Sequence, residues 1–402
     1  MGKMGDMGRM GTDAQPAGRA LHGLSAIALA AVLLAAGCQT VAKSPAAIPA
    51  RVDASKGVAS ADAATTWYDA LDIGVEGQGW HDGLKHPYDR FPAEAEGKIP
   101  DPVWNLSHHS AGMNVRFMTD SPSIAVRWSL RNDNLAMPHM PATGVSGVDL
   151  YVKHEGRWGW LAVGIPEKKD DNERVLVSNL PAGLHEYRIY LPLYNGTEKL
   201  EVGVKAGATL TKNPGYSPKH AKPMLFWGSS ILHGACASRP GMAYPSIIGR
   251  RMERPVINLG FSGNGKMDPS IVELIAKLDV SVYVIDCCPN MDPPLITERT
   301  GPLVKALRQA HADTPIVLVE NVPYAQGWFL PASKESYVTK NEALRAAYNR
   351  LRAAGIKKLY YVRCGDFFGK DGDATVDGVH PNDLGFARMA DAIGPELQRV
   401  LR

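Results

Sequence analysis

Residues 224–234 read Met-Leu-Phe-Trp-Gly-Ser-Ser-Ile-Leu-His-Gly, and this stretch decides the fold. The apolar run at its start has the length of a buried strand, and a helical pattern follows from about Gly241. A serine between a strand and a helix lies at the carboxyl edge of an α/β sheet, where open sheets bind their ligands. Backbone N–H groups at that edge can stabilise an oxyanion, so Ser230 is a candidate nucleophile.

Partners for this serine stand near the end of the chain, in Asp377-Gly378-Val379-His380-Pro381. A nucleophilic serine needs a histidine base and a carboxylate that orients the histidine, and these residues supply both. The sequence contains other acids and histidines that stay open as alternatives, namely Asp366, Asp373, His233 and His311.

The chain resembles the SGNH (GDSL-type) hydrolases in four blocks that follow one another in the family's order. Gly228-Ser229-Ser230 matches the first block, Gly-Asp-Ser, with serine in the place of aspartate. Residues 258–264 resemble the second block, and residues 286–291 stand where the third block, Gly-x-Asn-Asp, is expected. Asp377 and His380 match the last block, Asp-x-x-His. The sequence departs from the family's blocks at Ser229, Cys288 and Met291. These departures bear on the subfamily and the substrate more than on the chemistry.

This resemblance implies a role for each matched residue. Ser230 would attack an ester carbonyl, His380 would take its proton, and Asp377 would hold the imidazole in the right tautomer. The oxyanion would be bound by the N–H groups of Ser230 and Gly263 and by the side chain of Asn290. No metal or organic cofactor is implied. Their nearness to the blocks makes four residues candidates for the substrate pocket, namely His233, Arg239, Tyr244 and Met291.

From about Pro218 onward, short apolar runs alternate with helical patterns. This alternation predicts a parallel sheet between two layers of helices, a three-layer α/β/α domain over residues 216–402. The predicted strands are Pro223–Trp227, Val256–Asn258, Val280–Ile285, Ile316–Glu320 and Lys358–Val362. The predicted helices are Ala243–Met252, Ser270–Lys277, Leu303–His311, Tyr337–Ala354 and Leu384–Leu401.

Residues 67–215 have the pattern of an all-β domain, with seven or more short strands separated by turns. In Ser123–Leu130, apolar residues alternate with more polar ones, which predicts a strand with one face toward a core. The pattern predicts a β-sandwich of jelly-roll type. Residues 147–151, Gly-Val-Asp-Leu-Tyr, fit the GxDLY signature of a β domain that precedes the catalytic domain in one subgroup of these hydrolases.

The first 38 residues resemble a lipoprotein signal peptide. The apolar run Leu24–Ala36 is too short to span a bilayer comfortably, and the sequence Leu-Ala-Ala-Gly-Cys ending at Cys38 resembles a lipidation box. Residues 39–66, rich in alanine, serine and proline, would tether this anchor to the folded body. We therefore expect an exported protein, an outer-membrane or periplasmic lipoprotein of a Gram-negative-type bacterium.

Composition narrows the functional classes. The chain is 45% hydrophobic and 21% charged, with a formal net charge of +3, which argues against a nucleic-acid surface. Cys236, Cys287, Cys288 and Cys364 lack metal-ligand spacing and are interpreted as buried free thiols, and an unassigned disulfide among them stays open as the alternative. Aromatic rings that could stack on sugars or belong to a core are Trp80, Trp104, Trp128, Trp158 and Trp160.

The sequence therefore predicts a serine esterase that hydrolyses short acyl esters through an acyl-enzyme. The export signal and the preceding β domain resemble the layout of bacterial enzymes that remove acetyl groups from carbohydrates, which favours O-acetyl glycans as substrates. Two alternatives stay open. One is a lysophospholipase or thioesterase, and the other is a surface glycan-binding lipoprotein with an inactive hydrolase domain.

Overall fold

The computed structural model describes residues 49–365 and 367–402. The predicted signal segment, the lipidation site Cys38, the first part of the tether and the alternative acid Asp366 lie outside these residues. Among the helices of the described part, none is long and apolar enough to cross a bilayer.

Ten antiparallel strands build a β-sandwich in the first half of the described chain. They are β1 (Val58–Ala59), β2 (Thr65–Asp69), β3 (Val75–Glu76), β4 (Asn114–Thr119), β5 (Ser123–Leu130), β6 (Val148–His154), β7 (Arg157–Gly164), β8 (Asn172–Ser178), β9 (His185–Tyr190) and β10 (Thr197–Lys205). One sheet has the order β1-β2-β10-β5-β8 and the other the order β3-β4-β9-β6-β7. Three short helices, α1 (Ala70–Ile73), α2 (Asp101–Ser107) and α3 (Ala142–Val145), lie in the connections.

The alternation predicted for β5 is confirmed. Ile124, Val126 and Trp128 are buried in the apolar cluster between the two sheets. The intervening Arg127 is partly exposed and pairs with Glu173 on the neighbouring strand, at 2.7 Å. Side chains of a strand point alternately to its two faces, so the apolar ones close the core.

The sandwich begins earlier than its predicted boundary at residue 67. The buried Val52 donates its backbone N–H to the carbonyl of Leu210 at 2.9 Å, and Arg51 forms a bridge with Thr211. Strand β1 pairs with β2 at the edge of the first sheet. The prediction of a tether up to residue 66 is therefore wrong from about residue 51, because this backbone completes its hydrogen bonds within the sandwich.

Five parallel strands form the second half of the molecule. They are β11 (Met224–Gly228), β12 (Val256–Gly260), β13 (Val282–Asp286), β14 (Ile316–Val319) and β15 (Leu359–Val362), in the order β12-β11-β13-β14-β15. The central strand β11 is buried along its whole length, as its apolar run predicts. The five strands predicted for this domain are thus confirmed to within a few residues.

Helices cover both faces of this sheet and confirm the three-layer α/β/α architecture. They are α4 (Ser230–His233), α5 (Tyr244–Met252), α6 (Pro269–Ile275), α7 (Pro293–Ala310), α8 (Pro331–Ala353) and α9 (Asp383–Val400). Helices α4, α5 and α9 pack on one face, and α6, α7 and α8 on the other. Helix α7 begins ten residues before its predicted start, because Asp292 caps it at the N–H of Leu295 and Pro302 is accommodated inside it.

The sandwich and the parallel sheet share buried contacts. Phe91 stacks on Phe261, which follows β12, with 5.3 Å between the ring centres. The buried guanidinium of Arg90 donates to the carbonyl of Gly260 at 2.7 Å and to that of Asn258 at 3.2 Å. Burial lowers the pKa of Arg90 to about 9. These contacts hold the end of β12 against the sandwich.

Candidate active site

Ser230 stands at the first position of α4, immediately after the carboxyl end of β11. Ser229 caps the helix, because its hydroxyl accepts the N–H of Ile231 at 3.3 Å. Serine and aspartate are both preferred caps, so the departure at Ser229 preserves this function. Gly234, with a φ of 107°, ends the helix after one turn. The serine is thereby fixed at the edge of the sheet where the sequence predicts it.

His380 and Asp377 form a hydrogen-bonded series with this serine. The Oγ atom of Ser230 lies 2.8 Å from Nε2 of His380. On the other side of the ring, Nδ1 of His380 lies 2.7 Å from Oδ2 of Asp377. Ser230 and His380 are 150 positions apart in sequence, and Asp377 lies three positions before His380. The structure thus brings the two distant segments together. This arrangement suits a serine whose proton the imidazole can accept.

The carboxylate of Asp377 is held in its charged form. Partial burial alone raises its pKa, but hydrogen bonds from the N–H and imidazole of His380 and from the N–H of Val379 lower the pKa to about 2. The two backbone bonds to Oδ1 measure 2.7 Å from His380 and 3.0 Å from Val379. The negative charge therefore faces the imidazole at neutral pH and stabilises its protonated form.

The two residues predicted to complete the oxyanion hole lie in loops after the strands that flank β11. Oδ1 of Asn290, after β13, accepts the N–H of Gly265 at 3.1 Å. This bond orients the amide so that its NH2 group is the end left for another partner. Gly263, after β12, is exposed, has a φ of 71° and borders open space. Both loops follow carboxyl ends of neighbouring strands, on the side where Ser230 stands.

Comparison with known proteins connects this geometry to a family. A model described as the GDSL-like Lipase/Acylhydrolase family matches residues 221–398, and one described as the N-terminus of Esterase_SGNH_hydro-type matches residues 65–210. A solved structure described as a GDSL-like lipase from Bacteroides ovatus shares 37% identity with a TM-score of 0.79. That comparison covers 84% of this chain and 98% of the other. The chain belongs to the SGNH (GDSL-like) hydrolase family.

More distant structures share the fold of this SGNH hydrolase. A salicylyl-acyltransferase from a tetracycline biosynthetic pathway is 22% identical with a TM-score of 0.65, over 86% of this chain and 97% of that one. A family two carbohydrate esterase from Clostridium thermocellum is 16% identical with a TM-score of 0.52, over 72% and 92%. No curated protein sequence matches the chain. The family membership makes the protein an ester hydrolase.

Three of the predicted pocket residues belong to the core of the hydrolase instead. His233 is fully buried and stacks on Tyr194 with 4.0 Å between the ring centres. Tyr244 is also fully buried and donates to Oδ2 of Asp286 at 2.9 Å. Met291 is 2% exposed within the apolar cluster under α7. These predictions are wrong because nearness along the chain does not give the direction of a side chain.

The fourth predicted pocket residue, Arg239, joins the hydrolase domain to the GxDLY segment. Its guanidinium donates to the buried Asp149 at 2.9 Å and to the hydroxyl of Tyr151. The same Asp149 carboxylate accepts the N–H of Gly241 at 2.9 Å and the indole N–H of Trp160 at 2.8 Å. The aspartate and tyrosine of the signature therefore anchor the loop after the nucleophile helix, and Arg239 serves this contact rather than a pocket.

Two rival residues in the described part of the chain, His311 and Asp373, do not form a second triad. Nε2 of His311, at the end of α7, donates to the carbonyl of Ala276 at 2.8 Å. The backbone carbonyl of Asp373 accepts the amide of Asn382 at 2.6 Å, and its own N–H donates to Asp371. Neither side chain forms a hydrogen bond with His380 within the described residues. Asp377 and His380 are thus the pair that the structure brings to Ser230.

The cysteines and histidines of the described residues form no metal site. Cys236, Cys287, Cys288 and Cys364 are free, and the first three are buried, so the interpretation as thiols is confirmed, with Cys364 only half-buried. Burial raises the pKa of the Cys288 thiol to about 12. No group of histidine, cysteine and acidic side chains over residues 49–365 and 367–402 is arranged for a metal ion.

Sequence reasoning missed an exposed apolar segment between β14 and α8. Trp328 is 85% exposed, Phe329 71% and Leu330 46%. The segment adjoins the catalytic loop, because the N–H of Ala325 donates to the carbonyl of Gly378 at 2.8 Å. Three large apolar residues in a row before a proline-started helix are the sequence signal that could have drawn attention to it.

The sandwich tryptophans offer less free surface than Trp328. Trp128 and Trp104 are buried, which assigns them to the core. Trp160 is 48% exposed, but the guanidinium of Arg239 lies 4.9 Å from the centre of its ring. The indole of Trp158 donates to Glu253 at 2.7 Å.

Proposed function

We propose that the protein is a serine esterase that removes short acyl groups, acetyl above all, from carbohydrates through an acyl-enzyme. The observation that carries the mechanism is the series Ser230–His380–Asp377, with contacts of 2.8 and 2.7 Å. His380 takes the proton of Ser230 as its Oγ attacks the ester carbonyl. The same nitrogen then delivers that proton to the departing alcohol oxygen, and a water molecule repeats the sequence on the acyl-enzyme.

The tetrahedral intermediate of this proposal carries its negative charge on the former carbonyl oxygen. The N–H groups of Ser230 and Gly263 and the amide of Asn290 are the donors assigned to it. The Oδ1 atom of Asn290 is held by Gly265, so the amide NH2 is oriented before the substrate arrives. Such prepared donors stabilise the charge without reorganisation during the reaction.

A small acyl group and a sugar alcohol are supported by the surroundings of the serine. Ser230 is only 7% exposed, so the ester must enter the site for its carbonyl to reach Oγ. A cleft of about 810 Å³ beside the catalytic loop is lined by Trp328, Phe329 and Thr375, among others. Exposed aromatic faces suit the apolar faces of sugar rings. Structures with this fold include proteins described as carbohydrate esterases, one of them in complex with an oligosaccharide.

The exposed apolar segment between β14 and α8 also supports the alternative of a lysophospholipase or thioesterase. Trp328, Phe329 and Leu330 could also contact the acyl chain of a lysophospholipid, since they form a contiguous apolar surface beside the catalytic loop. A lysophospholipase or thioesterase would then prefer long acyl chains. Chain length is therefore the property that separates the two proposals.

The test compares 4-nitrophenyl acetate, butyrate and octanoate, together with acetate release from an acetylated xylan. Wild-type protein is compared with Ser230→Ala, and Ser336→Ala, which removes an exposed hydroxyl on α8, is the matched control. We expect the acetate ester to be turned over fastest and acetate to be released from the polysaccharide. Both activities should vanish in Ser230→Ala and persist in Ser336→Ala.

Other results would replace this proposal. Preference for octanoate and for lysophospholipids would favour the lysophospholipase. Activity that survives in Ser230→Ala would contradict the serine mechanism. If no ester were hydrolysed while a glycan bound equally to the wild type and Ser230→Ala, the protein would be the glycan-binding lipoprotein with an inactive hydrolase domain.

We further propose that the chain is exported and carries a lipid on Cys38, which the sequence of residues 34–38 supports. Expression with an alkyne-labelled fatty acid tests this proposal. The label should enter the wild type and a Cys364→Ala control, and it should be absent from Cys38→Ala, which should also leave the membrane fraction. Labelling of Cys38→Ala would contradict the assignment.

A further inference from the structure

A histidine of the β-sandwich lies beside the catalytic histidine. His139 belongs to the connection between β5 and α3, and its ring centre is 6.0 Å from that of His380, in an edge-on arrangement. Its side chain is exposed and forms no hydrogen bond with the described residues. The proposed mechanism does not use it. An imidazole at the rim of the active site, with its polar atoms free, is placed to meet a substrate.

The connection that carries His139 is fixed on the nucleophile side of the site. Met137 and Met140 exchange backbone hydrogen bonds of 2.9 and 3.0 Å, which close a tight turn around His139. Met140 is 2% exposed and belongs to the same apolar cluster as Ile231 and Leu232 of the nucleophile helix. The position of His139 relative to Ser230 is therefore set by packing across the two domains.

A second contact ties the same connection to the histidine side of the site. The hydroxyl of Thr143 donates to the carbonyl of Ser238 at 2.6 Å. The N–H of Ser238 donates to the carboxylate of Asp383 at 2.9 Å, three residues after His380. The sandwich loop is thus linked through Ser238 to the start of α9, which follows His380. A rigid support of this kind suits a residue that positions a substrate.

The neighbourhood of His380 indicates which part of the substrate would meet His139. Nε2 of His380 delivers its proton to the departing alcohol oxygen, so the alcohol must lie next to this ring. The oxyanion donors Gly263 and Asn290 follow β12 and β13, whereas His139 approaches from the sandwich. His139 therefore adjoins the ring that protonates the alcohol and lies outside the loops that carry Gly263 and Asn290.

We propose that His139 is a specificity-determining residue that recognises hydroxyl groups of the departing alcohol. A neutral imidazole carries one donor and one acceptor, and both can be satisfied by the hydroxyl group of a polyol or a sugar. This inference rests on the proposed function, because it assumes an acyl-enzyme formed on Ser230. It assigns the β-sandwich a direct part in substrate selection.

The test keeps the acyl group constant and varies the alcohol. Wild-type protein, His139→Ala and His139→Gln are compared on 4-nitrophenyl acetate, glyceryl monoacetate and an acetylated methyl glycoside. The control is His154→Ala, an exposed histidine at the end of β6 in the same sandwich. We expect kcat/KM for the two hydroxylated esters to fall about tenfold in His139→Ala relative to 4-nitrophenyl acetate, with partial recovery in His139→Gln.

Each result separates this inference from the proposed function. Equal losses on all three esters would show that His139 acts on His380 or the fold, and they would overturn the inference. The ratio of kcat/KM for a hydroxylated ester to kcat/KM for 4-nitrophenyl acetate is the quantity compared between the wild type and His139→Ala. If this ratio is unchanged and the glycoside is turned over well, the inference is overturned and the carbohydrate substrate is still supported. A lower ratio for glyceryl acetate, without turnover of the glycoside by the wild type, would support the inference and contradict the carbohydrate substrate. Wild-type turnover of 4-nitrophenyl acetate alone would overturn both.

Discussion

The nucleophile and the Asp377–His380 pair are held in the active site by different means. Ser230 is 7% exposed and follows β11, which is paired on both sides by parallel strands. The Asp377 and His380 side chains are 41% and 25% exposed, and they stand on a loop between β15 and α9. One half of the catalytic series is built into the sheet, whereas the other half is placed by a loop.

The loop half depends on hydrogen bonds from segments that are distant in sequence. The N–H of Val376 donates to the carbonyl of His380 at 2.9 Å and closes the loop on itself. The N–H of Ala325 holds Gly378, and Ser238 holds the start of α9 through Asp383. The comparison teaches that substitutions in the loop should disturb the alignment of the catalytic groups, whereas those in the sheet should first disturb the stability of the fold.

The largest effect is expected for Asp377→Asn, which removes the charge from the loop half. The asparagine oxygen can still accept the two backbone N–H groups, so the loop keeps its shape, but its amide favours the wrong imidazole tautomer. We expect kcat on 4-nitrophenyl acetate to fall by about 10³- to 10⁴-fold with little change in KM. Asp373→Asn, on the same connection, is the matched control, and a similar loss there would show that the wrong acid has been assigned.

Asn290→Ala tests the part of the site that the sheet positions. Loss of one oxyanion donor should lower kcat by about 10²- to 10³-fold, and loss of the acceptor for Gly265 should also lower the melting temperature. Asn290→Asp keeps the acceptor for Gly265 but replaces the amide donor by a negative charge, so its loss should be at least as large. Retention of activity in Asn290→Asp, measured by steady-state kinetics, would remove Asn290 from the oxyanion hole.

Gly378→Ala tests whether contacts from outside the loop align His380. The residue has a φ of 90°, and an added Cβ would clash with the end of the Gln326 side chain, which would have to move. Gly372 has a similar φ of 85° but borders open space, so Gly372→Ala controls for the backbone strain. We expect a loss of kcat of about tenfold in Gly378→Ala beyond that in Gly372→Ala, because shifts in geometry alone cost rate. Equal activities would mean that the contact with Gln326 does not align the loop.

The sequence was sufficient for the strands and for the catalytic series, for a physical reason. Buried parallel strands need short apolar runs such as Met224–Trp227, and a catalytic loop needs its acid and histidine close together. The direction of a side chain on a short helix is not local information, so His233, Tyr244 and Met291 were misplaced. Arg239 and Asp149 are 90 positions apart in sequence, and no pattern in either segment predicts that they pair.

The position of His139 could not be foreseen either. It depends on how the sandwich packs against the hydrolase domain. Met140 and Thr143 fix this packing through contacts with residues about 90 positions away in sequence. The start of the sandwich at about residue 51 was missed because a segment rich in small residues gives no periodic signal, although its backbone pairs with the sheet edge. Long-range pairing is therefore the information that the sequence pattern lacked.

The smallest expected effect is on the free energy of unfolding and its dependence on pH. Two carboxyl groups, Asp286 and Asp377, should act on it in opposite directions. Burial raises the pKa of Asp286, at the end of β13, from its ordinary value of 3.8 to about 8. The folded protein therefore keeps a proton that the unfolded chain releases above about pH 4. This group contributes stability that is fully present below about pH 4 and is lost as pH rises toward 8. Asp377, whose pKa is lowered to about 2, behaves in the opposite way, and its contribution is lost as pH falls from about 4 toward 2.

Asp286→Asn should remove the first of these dependences while keeping a partner for the hydroxyl of Tyr244. Between pH 5 and 8, the free energy of unfolding of the wild type should therefore decline more steeply than that of the variant. One proton can account for a difference of up to about 1.4 kcal/mol per pH unit. Denaturant unfolding at a series of pH values measures this difference, with the exposed Asp279→Asn as the control. Parallel curves for the wild type and Asp286→Asn would show that Asp286 is charged in the folded protein, and the sheet half would then hold an uncompensated buried charge beside Ser229.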